Sequence, residues 1–312
     1  MLVFGAIFSS PTVVTPPPSG EPETWTSRTS SFDTTPILSV NYGNGYWVAG
    51  GESGKLASAT DPTGTWTQRT ANVGTENINA VAYGNGYWVC SGGSGEKLAY
   101  ATDPTGTWTA VNSGFSTSII YGITYKNGYW VAVGASGKLF TATDPSGTWT
   151  SRTSSYGTTN VRSVDYGADG YWVTVGDSGK AAYATDPTST WTQANFGFSS
   201  SSIRQVAYGA DGYWVASGAD GKLRTATNPT GTWTSRTSNH GSLTINGLDQ
   251  GNGAWVSAGG QGGLTTQTDP TGSWNSRTSQ FSSNDIEAVA NGNNIWVAVG
   301  GAGKMATATP GA

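Results

Sequence analysis

The stretch that decides the fold is Gly128-Tyr129-Trp130-Val131-Ala132-Val133-Gly134, because close copies of it recur along the 312-residue chain. Each copy contains one tryptophan, and successive copies are 41 or 42 residues apart. The tryptophans of this series are Trp47, Trp88, Trp130, Trp172, Trp214, Trp255 and Trp296. A second series, in Thr-Trp-Thr-like runs with the same spacing, comprises Trp25, Trp66, Trp108, Trp149, Trp191, Trp233 and Trp274. The two series contain all 14 tryptophans, so the chain is built from one repeated unit.

A repeat of this length predicts a β-propeller, an all-β fold in which blades of four short strands surround a central channel. We name the four segments of each unit A, B, C and D, and examples are 78–83, 87–90, 138–143 and 148–153. Between strands A and B, Gly84-Asn85-Gly86 is typical of a two-residue hairpin, because Asn and Gly tolerate positive φ. We therefore predict a seven-bladed β-propeller with four-stranded blades.

The ends of the chain indicate how the ring closes. The repeats begin with a D strand at residues 24–29 and end with a C strand at 304–309, so six blades are complete and the seventh is split. Pairing of the N-terminal strand with the last three strands would remove an open sheet edge. We predict two parts, which are an apolar and Pro-rich arm at 1–23 and a propeller at 24–312.

Composition excludes several classes of function. The net charge is −4 and the chain has no basic run, so nucleic-acid binding through phosphate contacts is not expected. No apolar stretch is long enough to span a membrane as a helix. The single cysteine, Cys90, replaces an alanine of strand B, and we expect a small buried residue there rather than a nucleophile.

The N-terminal arm joins an apolar run to a proline-rich linker. The apolar residues are Leu2, Val3, Phe4, Ile7 and Phe8. Prolines stiffen residues 11–20, and no basic segment precedes the apolar run as it would in a signal peptide. Because an exposed apolar arm is a liability on a soluble domain, we expect it to anchor the propeller to a partner protein or a neighbouring copy.

The hairpin between strands C and D resembles the Asp-box of sialidase-type propellers, in which an Asp and a Trp five positions later brace the turn. Asp61 and Trp66 have this spacing, although the glycine is displaced by one residue and Pro62 is inserted. The resemblance implies a structural role. The arginine cluster, tyrosine nucleophile and acidic pair of a sialidase are not found, and we predict no catalytic residues.

One outer-strand position is occupied by arginine in five copies. These residues are Arg28, Arg69, Arg152, Arg236 and Arg277. We expect them to protect the outer sheet edge against aggregation.

One position of the loop from strand D to strand A is aromatic in most copies. Its occupants are Phe32, Val73, Phe115, Tyr156, Phe198, His240 and Phe281. His240 is the only histidine, so neither a metal site nor a Ser-His-Asp triad is expected. Two interpretations remain open: these side chains pack between blades, or they form stacking platforms for sugars or a partner.

Two further positions of the repeat bear on where a ligand could bind. Lysine opens strand C in six copies, where it is either a solvated turn residue or a cation for an anionic polymer: Lys55, Lys97, Lys138, Lys180, Lys222 and Lys304. The second residue of strand A differs widely: Leu38, Asn79, Tyr121, Arg162, Arg204, Asn246 and Glu287. Since strand A is innermost, we expect this second set near the channel mouth. We predict ligand or partner contacts on the face that carries the D–A and B–C loops, with Tyr121, Arg162 and Arg204 as candidates.

The repeat style, with Gly-Tyr-Trp-Val-Ala-Val-Gly and Asp-Pro-Ser-Gly-Thr-Trp-Thr, resembles propeller modules in minor tail proteins of tailed bacteriophages. This resemblance implies a non-enzymatic virion protein, present in several copies, that is anchored by residues 1–23 to other virion proteins and contacts the host surface. No cofactor or metal is expected. The alternatives are a capsid decoration protein and a soluble, secreted multivalent lectin that binds cell-surface glycans.

Overall fold

The computed structural model describes residues 20–92 and 97–311. Within these residues, 28 strands form seven four-stranded antiparallel sheets, which we number as blades I to VII. The prediction of a seven-bladed all-β propeller is therefore confirmed. None of the described helices is long and apolar enough to cross a membrane. The proposed anchor residues Leu2, Val3, Phe4, Ile7 and Phe8 lie outside the described part of the chain.

Strands of the same type occupy equivalent positions in each blade. The innermost A strands are β2 (Ile37–Gly43), β6 (Val81–Gly84), β10 (Ile120–Lys126), β14 (Val161–Tyr166), β18 (Ile203–Tyr208), β22 (Ile245–Gly251) and β26 (Ile286–Gly292). The B strands are β3 (Tyr46–Gly51), β7 (Tyr87–Ser91), β11 (Tyr129–Gly134), β15 (Trp172–Gly176), β19 (Trp214–Gly218), β23 (Ala254–Gly259) and β27 (Ile295–Gly300).

The two outer strands of each blade follow in the same order. The C strands are β4 (Lys55–Ala59), β8 (Lys97–Ala101), β12 (Leu139–Ala142), β16 (Lys180–Ala184), β20 (Leu223–Ala226), β24 (Leu264–Gln267) and β28 (Met305–Ala308). The D strands are β5 (Thr67–Thr70), β9 (Thr109–Asn112), β13 (Thr150–Arg152), β17 (Thr192–Asn195), β21 (Thr234–Arg236), β25 (Asn275–Ser276) and, for blade VII, β1 (Thr26–Arg28). Three-residue 3-10 turns occupy B–C loops at Glu52–Gly54, Ala135–Gly137, Asp177–Gly179, Ala219–Gly221, Gly260–Gly262 and Gly301–Gly303.

The B-strand tryptophans form the contacts between blades. All seven are fully buried, and Trp172 of blade IV, for example, packs in one cluster with Val131 and Val133 of blade III. Each indole also lies against a tyrosine of its own A strand where one is present, as in the Tyr166–Trp172 pair with ring centroids 5.0 Å apart. Burial of one such side chain removes about 150–250 Å² from water, which stabilises the fold by up to about 4–6 kcal/mol.

Glycine at the end of strand A lets neighbouring blades approach closely. A Cβ at Gly84 would lie 2.4 Å from the side chain of Tyr125 in the next blade, and one at Gly43 would lie 2.4 Å from Tyr83. Since no real Cβ tolerates that distance, the tyrosine of the following blade rests directly on the glycine backbone at both positions.

The C–D hairpins have the structural role that the sequence predicts. The Asp61 Oδ1 atom accepts hydrogen bonds of 2.8 Å from both the amide and the hydroxyl of Thr63, and the Trp66 indole donates to the Pro62 carbonyl at 3.2 Å. The outer-strand arginines are tied into the same framework. Arg236 Nε donates to the Thr225 hydroxyl at 2.8 Å, and its Nη1 donates to the Thr271 carbonyl of the next blade at 3.2 Å. Arg236 therefore also links two blades.

The split blade closes as predicted, and Glu21 reinforces it. Strand β1 pairs with β28 so that Thr26 lies opposite Thr307 and Arg28 opposite Met305. Blade VII lacks the aspartate turn because the chain ends there, and Glu21 forms an ion pair with Arg277 of blade VI at 2.5 Å. Burial alone would raise the pKa of the Glu21 carboxyl, but hydrogen bonds from Thr266, Asn275 and Arg277 lower it below its ordinary value.

Deletion of residues 1–30 is expected to destabilise the whole ring. It removes the buried Trp25, whose loss alone costs about 3–5 kcal/mol, and it exposes the edge of β28. Thermal unfolding and size-exclusion chromatography measure the effect. Deletion of residues 1–19, which retains Glu21 and β1, is the matched control and should unfold like the full chain. Equal melting of both deletions would contradict ring closure by β1.

Glu21→Gln is expected to destabilise the protein by about 1–2 kcal/mol at pH 7, because the charged hydrogen bonds to Arg277 are lost. A lowered pKa in the folded state stabilises the fold above the ordinary value of 4.5, and this contribution disappears as the pH falls through the lowered pKa. The variant and the wild type should therefore converge in stability in acid. Urea denaturation at pH 7 and below pH 4 measures this, and a difference independent of pH would refute the assignment.

Candidate functional site

The variable residues of the A strands meet at one end of the channel. Seven side chains, one from each blade, line a cavity of about 200 Å³ together with Gln205. We call this set the channel mouth: Leu38, Asn79, Tyr121, Arg162, Arg204, Gln205, Asn246 and Glu287. It lies at the end that carries the D–A and B–C loops, because six of the seven residues follow the first residue of their A strand and Asn79 lies just before β6.

Arg162 of the channel mouth is fully engaged within blade IV. Its Nε and Nη2 atoms donate to the two carboxylate oxygens of Asp177 at 2.9 and 2.7 Å, and Asn160 donates to the same carboxylate at 2.9 Å. The guanidinium also lies 4.2 Å from the ring centroid of Tyr121. Burial would raise the pKa of Asp177, but the hydrogen bonds from Arg162 and Asn160 lower it below its ordinary value. This carboxylate is held in its charged form.

Arg204 occupies the equivalent position in blade V without an equivalent partner. The B–C loop of blade V has Ala219 where blade IV has Asp177. The Nε atom of Arg204 is buried and has no hydrogen-bond partner among the described residues, and the guanidinium forms no ion pair within that part of the chain. One of two equivalent arginines is therefore neutralised and the other is not.

Two acidic residues of blade VII, Asp285 and Glu287, line the same cavity as Arg204. Burial and the neighbouring Asp285 carboxylate raise the pKa of Glu287, and the charge of Arg204 acts in the opposite direction. A cavity of about 550 Å³ extends from Arg204 across blade VI to these two carboxylates, where Gln261 also lines it. The mouth thus has a guanidinium without a bonded carboxylate at blade V and two carboxylates at blade VII.

Two aspartates lie deeper in the channel, which encloses about 410 Å³. Asp165 accepts a hydrogen bond of 2.9 Å from the Tyr208 amide, and Asp249 accepts one of 2.7 Å from the Asn291 amide. Each bond joins the innermost strand of one blade to that of the next. Burial raises the pKa of Asp249 to about 7. The described residues contain no group of three or more His, Cys, Asp or Glu side chains that could hold a metal.

Sequence reasoning missed these aspartates, as well as Asp177. A signal was present, because three other copies carry alanine where Asp165 and Asp249 stand: Ala82, Ala207 and Ala290. A charge at one of these channel-lining positions is unusual enough to indicate a specific hydrogen-bonding role.

The aromatic positions of the D–A loops are buried, which favours packing between blades over sugar stacking. Their exposed fractions are 1% for Phe32, 0% for Phe115, 1% for Tyr156, 0% for Phe198, 4% for His240 and 0% for Phe281. A sugar needs an exposed ring face, and none of these six side chains offers one. The structure therefore corrects the platform interpretation for this set.

Five of the six strand C lysines bond to a carbonyl of the D–A loop and are neither solvated turn residues nor free cations, whereas Lys97 is exposed. Lys55, Lys180 and Lys304 donate to the carbonyls of Phe32, Tyr156 and Phe281, at 3.1, 2.8 and 2.8 Å. Lys138 and Lys222 make the same bond to the carbonyls of Phe115 and Phe198. Each of these five lysines holds the D–A loop in place and is committed to that contact.

His240 packs against the one blade in which strand C is not preceded or opened by a lysine. Gly263 replaces it, and a Cβ there would lie 2.9 Å from the His240 ring. His240 Nε2 lies 3.0 Å from the Ser257 hydroxyl, but Ser257 is fully buried and a substrate cannot reach it. Burial lowers the pKa of His240 to about 4, so the ring is neutral at physiological pH.

Cys90 is likewise fully buried, as expected, and burial raises the pKa of its thiol to about 12.

Comparison with known proteins establishes the fold class and nothing finer. No protein-family model matches the chain, and no curated protein matches it. Three similar solved structures are YCF48 bound to a D1 peptide (17% identity, TM-score 0.73, covering 97% of this chain and 100% of that one), a catalytically inactive virginiamycin B lyase from Staphylococcus aureus with quinupristin (12%, 0.79, 92% and 99%), and the WD40 propeller domain of Doa1 (11%, 0.73, 93% and 96%). At these identities the likeness shows a shared β-propeller architecture, which hosts many functions.

The buried histidine predicts a pH dependence of stability. Its pKa in the folded state is about 4, against 6.5 for an unperturbed histidine, so the unfolded chain takes up a proton first as the pH falls. Wild-type protein should lose on the order of 2 kcal/mol between pH 7 and pH 4.5 through this residue. His240→Phe should lack that component. Because His240 is the only histidine, its NMR titration gives the pKa directly, and a value near 6.5 would contradict the argument.

Proposed function

We propose that this chain is a non-catalytic recognition propeller that holds a polypeptide segment of a partner protein at the channel mouth. The observation that carries the proposal is the divergence of seven of the mouth residues, all except Gln205, which lie at one equivalent position of otherwise similar blades. Equivalent positions that only maintain the fold are expected to carry similar residues in every blade. Unequal side chains around one opening are suited to an asymmetric ligand.

The chemistry of the mouth favours a peptide over a sugar. Tyr121 is its only aromatic residue among the described mouth side chains, and the guanidinium of Arg162 covers that ring at 4.2 Å. The remaining groups are one leucine, three amides, two arginines and a carboxylate, which suit the backbone and the side chains of a polypeptide. The similar YCF48 structure, bound to a D1 peptide, provides a precedent for peptide binding on this fold.

The absence of catalysis is part of the proposal. Enzymes need a nucleophile and a base that meet a substrate, and the one close serine–histidine pair, Ser257 and His240, is buried. The similar virginiamycin B lyase shares the fold at 12% identity, which is too low to transfer its chemistry.

We place this recognition function in a virion. The support is the resemblance of the Gly-Tyr-Trp-Val and Asp-Pro-Thr-Gly-Thr-Trp repeats to propeller modules of bacteriophage minor tail proteins. In this setting residues 1–23 attach the propeller to other virion proteins in several copies. The mouth then contacts a protein of the host envelope or a neighbouring virion protein. A tail position follows from the resemblance, and no observation favours the capsid or a secreted lectin.

The virion assignment is tested by deletion of residues 1–19 in a phage that encodes the chain. The shortened protein should accumulate as a folded propeller in infected cells and be missing from purified particles, as measured by mass spectrometry. Its presence in particles at the normal level would refute attachment through the arm.

The mouth is tested by competition. Excess purified propeller should block attachment of particles to the host, and the double variant Arg204→Gln, Glu287→Gln should be about tenfold weaker, since two charged contacts are removed. Lys126→Gln, at the other end of the channel, is the control and should compete like the wild type. Equal competition by all three proteins would refute the mouth as the contact surface.

A further inference from the structure

We infer that Arg204 is the anchor for a carboxylate of the bound polypeptide, and that Glu287 and Asp285 receive a basic group of the same segment. This inference deepens the proposed function by naming the chemistry of the ligand. It rests on the mouth being a binding site and makes no use of the virion assignment.

Blade IV shows how this chain binds a carboxylate at the channel mouth. In blade IV, Asp177 is held by Arg162, by Asn160 and by the hydroxyl of Ser202 from the next blade. This arrangement shows what a carboxylate needs at this end of a blade: a guanidinium fork, a neighbouring polar group and a hydroxyl from the adjacent loop.

Blade V repeats this arrangement without the carboxylate. Arg204 replaces Arg162, Ser202 precedes its strand as Asn160 does in blade IV, and Thr244 of blade VI stands where Ser202 stands relative to blade IV. Only the acidic residue is missing, because Ala219 takes its position. The side chain of Arg204 lines both cavities of the mouth, so its guanidinium can meet such a carboxylate, and its Nε has no hydrogen-bond partner among the described residues.

The surroundings of Arg204 determine what else the ligand carries. The cavity of about 550 Å³ that Arg204 lines leads past Thr244, Asn246 and Gln261 to Asp285 and Glu287. A ligand that extends from the arginine along this cavity therefore reaches two carboxylates. An acidic residue followed a few positions later by lysine or arginine complements both ends, whereas a purely anionic ligand meets repulsion at blade VII.

A polypeptide fits these features better than an acidic glycan. A sugar acid would pair with Arg204, but the mouth offers it no free aromatic face. The carboxylates of Asp285 and Glu287 would also repel its charge. Hydroxyls and amides between the two charged ends, from Thr244, Asn246 and Gln261, suit the backbone groups of an extended chain.

The ligand chemistry is tested with an array of synthetic capped decapeptides incubated with the purified propeller. One acidic and one basic residue are placed at every separation from one to six positions, and each peptide has partners in which the acid or the base is replaced by glutamine. The best peptide is then measured by fluorescence anisotropy. Wild-type propeller should bind the peptides that carry both charges, and loss of the acid should weaken binding by about tenfold or more.

Ala219→Asp is the decisive variant, because it supplies Arg204 with the carboxylate that Asp177 supplies to Arg162. It should weaken the best peptide by about tenfold or more while leaving the thermal midpoint at or above that of the wild type, since the new pair satisfies a buried donor. Ala135→Asp adds the same charge at the equivalent loop position of blade III, where the mouth residue is Tyr121. This control should bind the peptide like the wild type, which separates occupation of Arg204 from a general change of charge.

Several outcomes would overturn the inference. These are equal affinity of the wild type and Ala219→Asp, equal weakening by Ala135→Asp, and no peptide bound above the uncharged background. Binding of sialic or glucuronic acid oligosaccharides in place of peptides would also overturn it. These results can be told apart from failure of the proposed function: a propeller that blocks attachment yet ignores charged peptides contradicts only this inference, and one that binds them without blocking attachment contradicts only the virion assignment.

Discussion

The structure depends on the burial of one indole between each pair of neighbouring blades. A four-stranded sheet of short strands has too little apolar surface to be stable alone, and Trp172, for example, reaches the sheet of the preceding blade at Val131 and Val133. Since every blade must both give and receive such a contact, the arrangement is stable only as a closed ring. The high glycine content is compatible with this requirement, because the turns need flexibility and the tryptophans supply the apolar area.

Closure of the ring leaves two places where polar groups need partners, and a few side chains supply these partners at each place. The innermost strands have one edge without a partner strand, and Asp165 and Asp249 bond to backbone amides across it. The outer rim is cut where the chain begins and ends, and there Glu21 meets Arg277. The surroundings act in opposite directions, because burial raises the pKa of Asp249 whereas hydrogen bonds lower that of Glu21.

The candidate site lies where the blades stop resembling one another. The scaffold positions are held by repeated contacts, such as the bonds of five strand C lysines with loop carbonyls. At the channel mouth the same backbone positions carry unequal side chains, and two equivalent arginines differ in whether a carboxylate accompanies them. Because the blades repeat, a residue that differs from its equivalents in the other blades can be recognised as a candidate functional residue.

The sequence by itself determined the number of blades, the order of strands and the place where the ring is split. Tryptophan spacing, Asn-Gly hairpins and Asp-Pro turns are local signals, and each occurs in so many copies that the period is unambiguous. It also identified the variable residues of the mouth. Only the tertiary structure decided that the aromatic D–A residues are buried and that five of the lysines bond to carbonyls. It also decided that Asp177 neutralises Arg162, while the Nε of Arg204 has no hydrogen-bond partner among the described residues. The physical reason is that burial and pairing depend on the adjacent blade and loop, whose distance from a residue cannot be read from spacing along the chain.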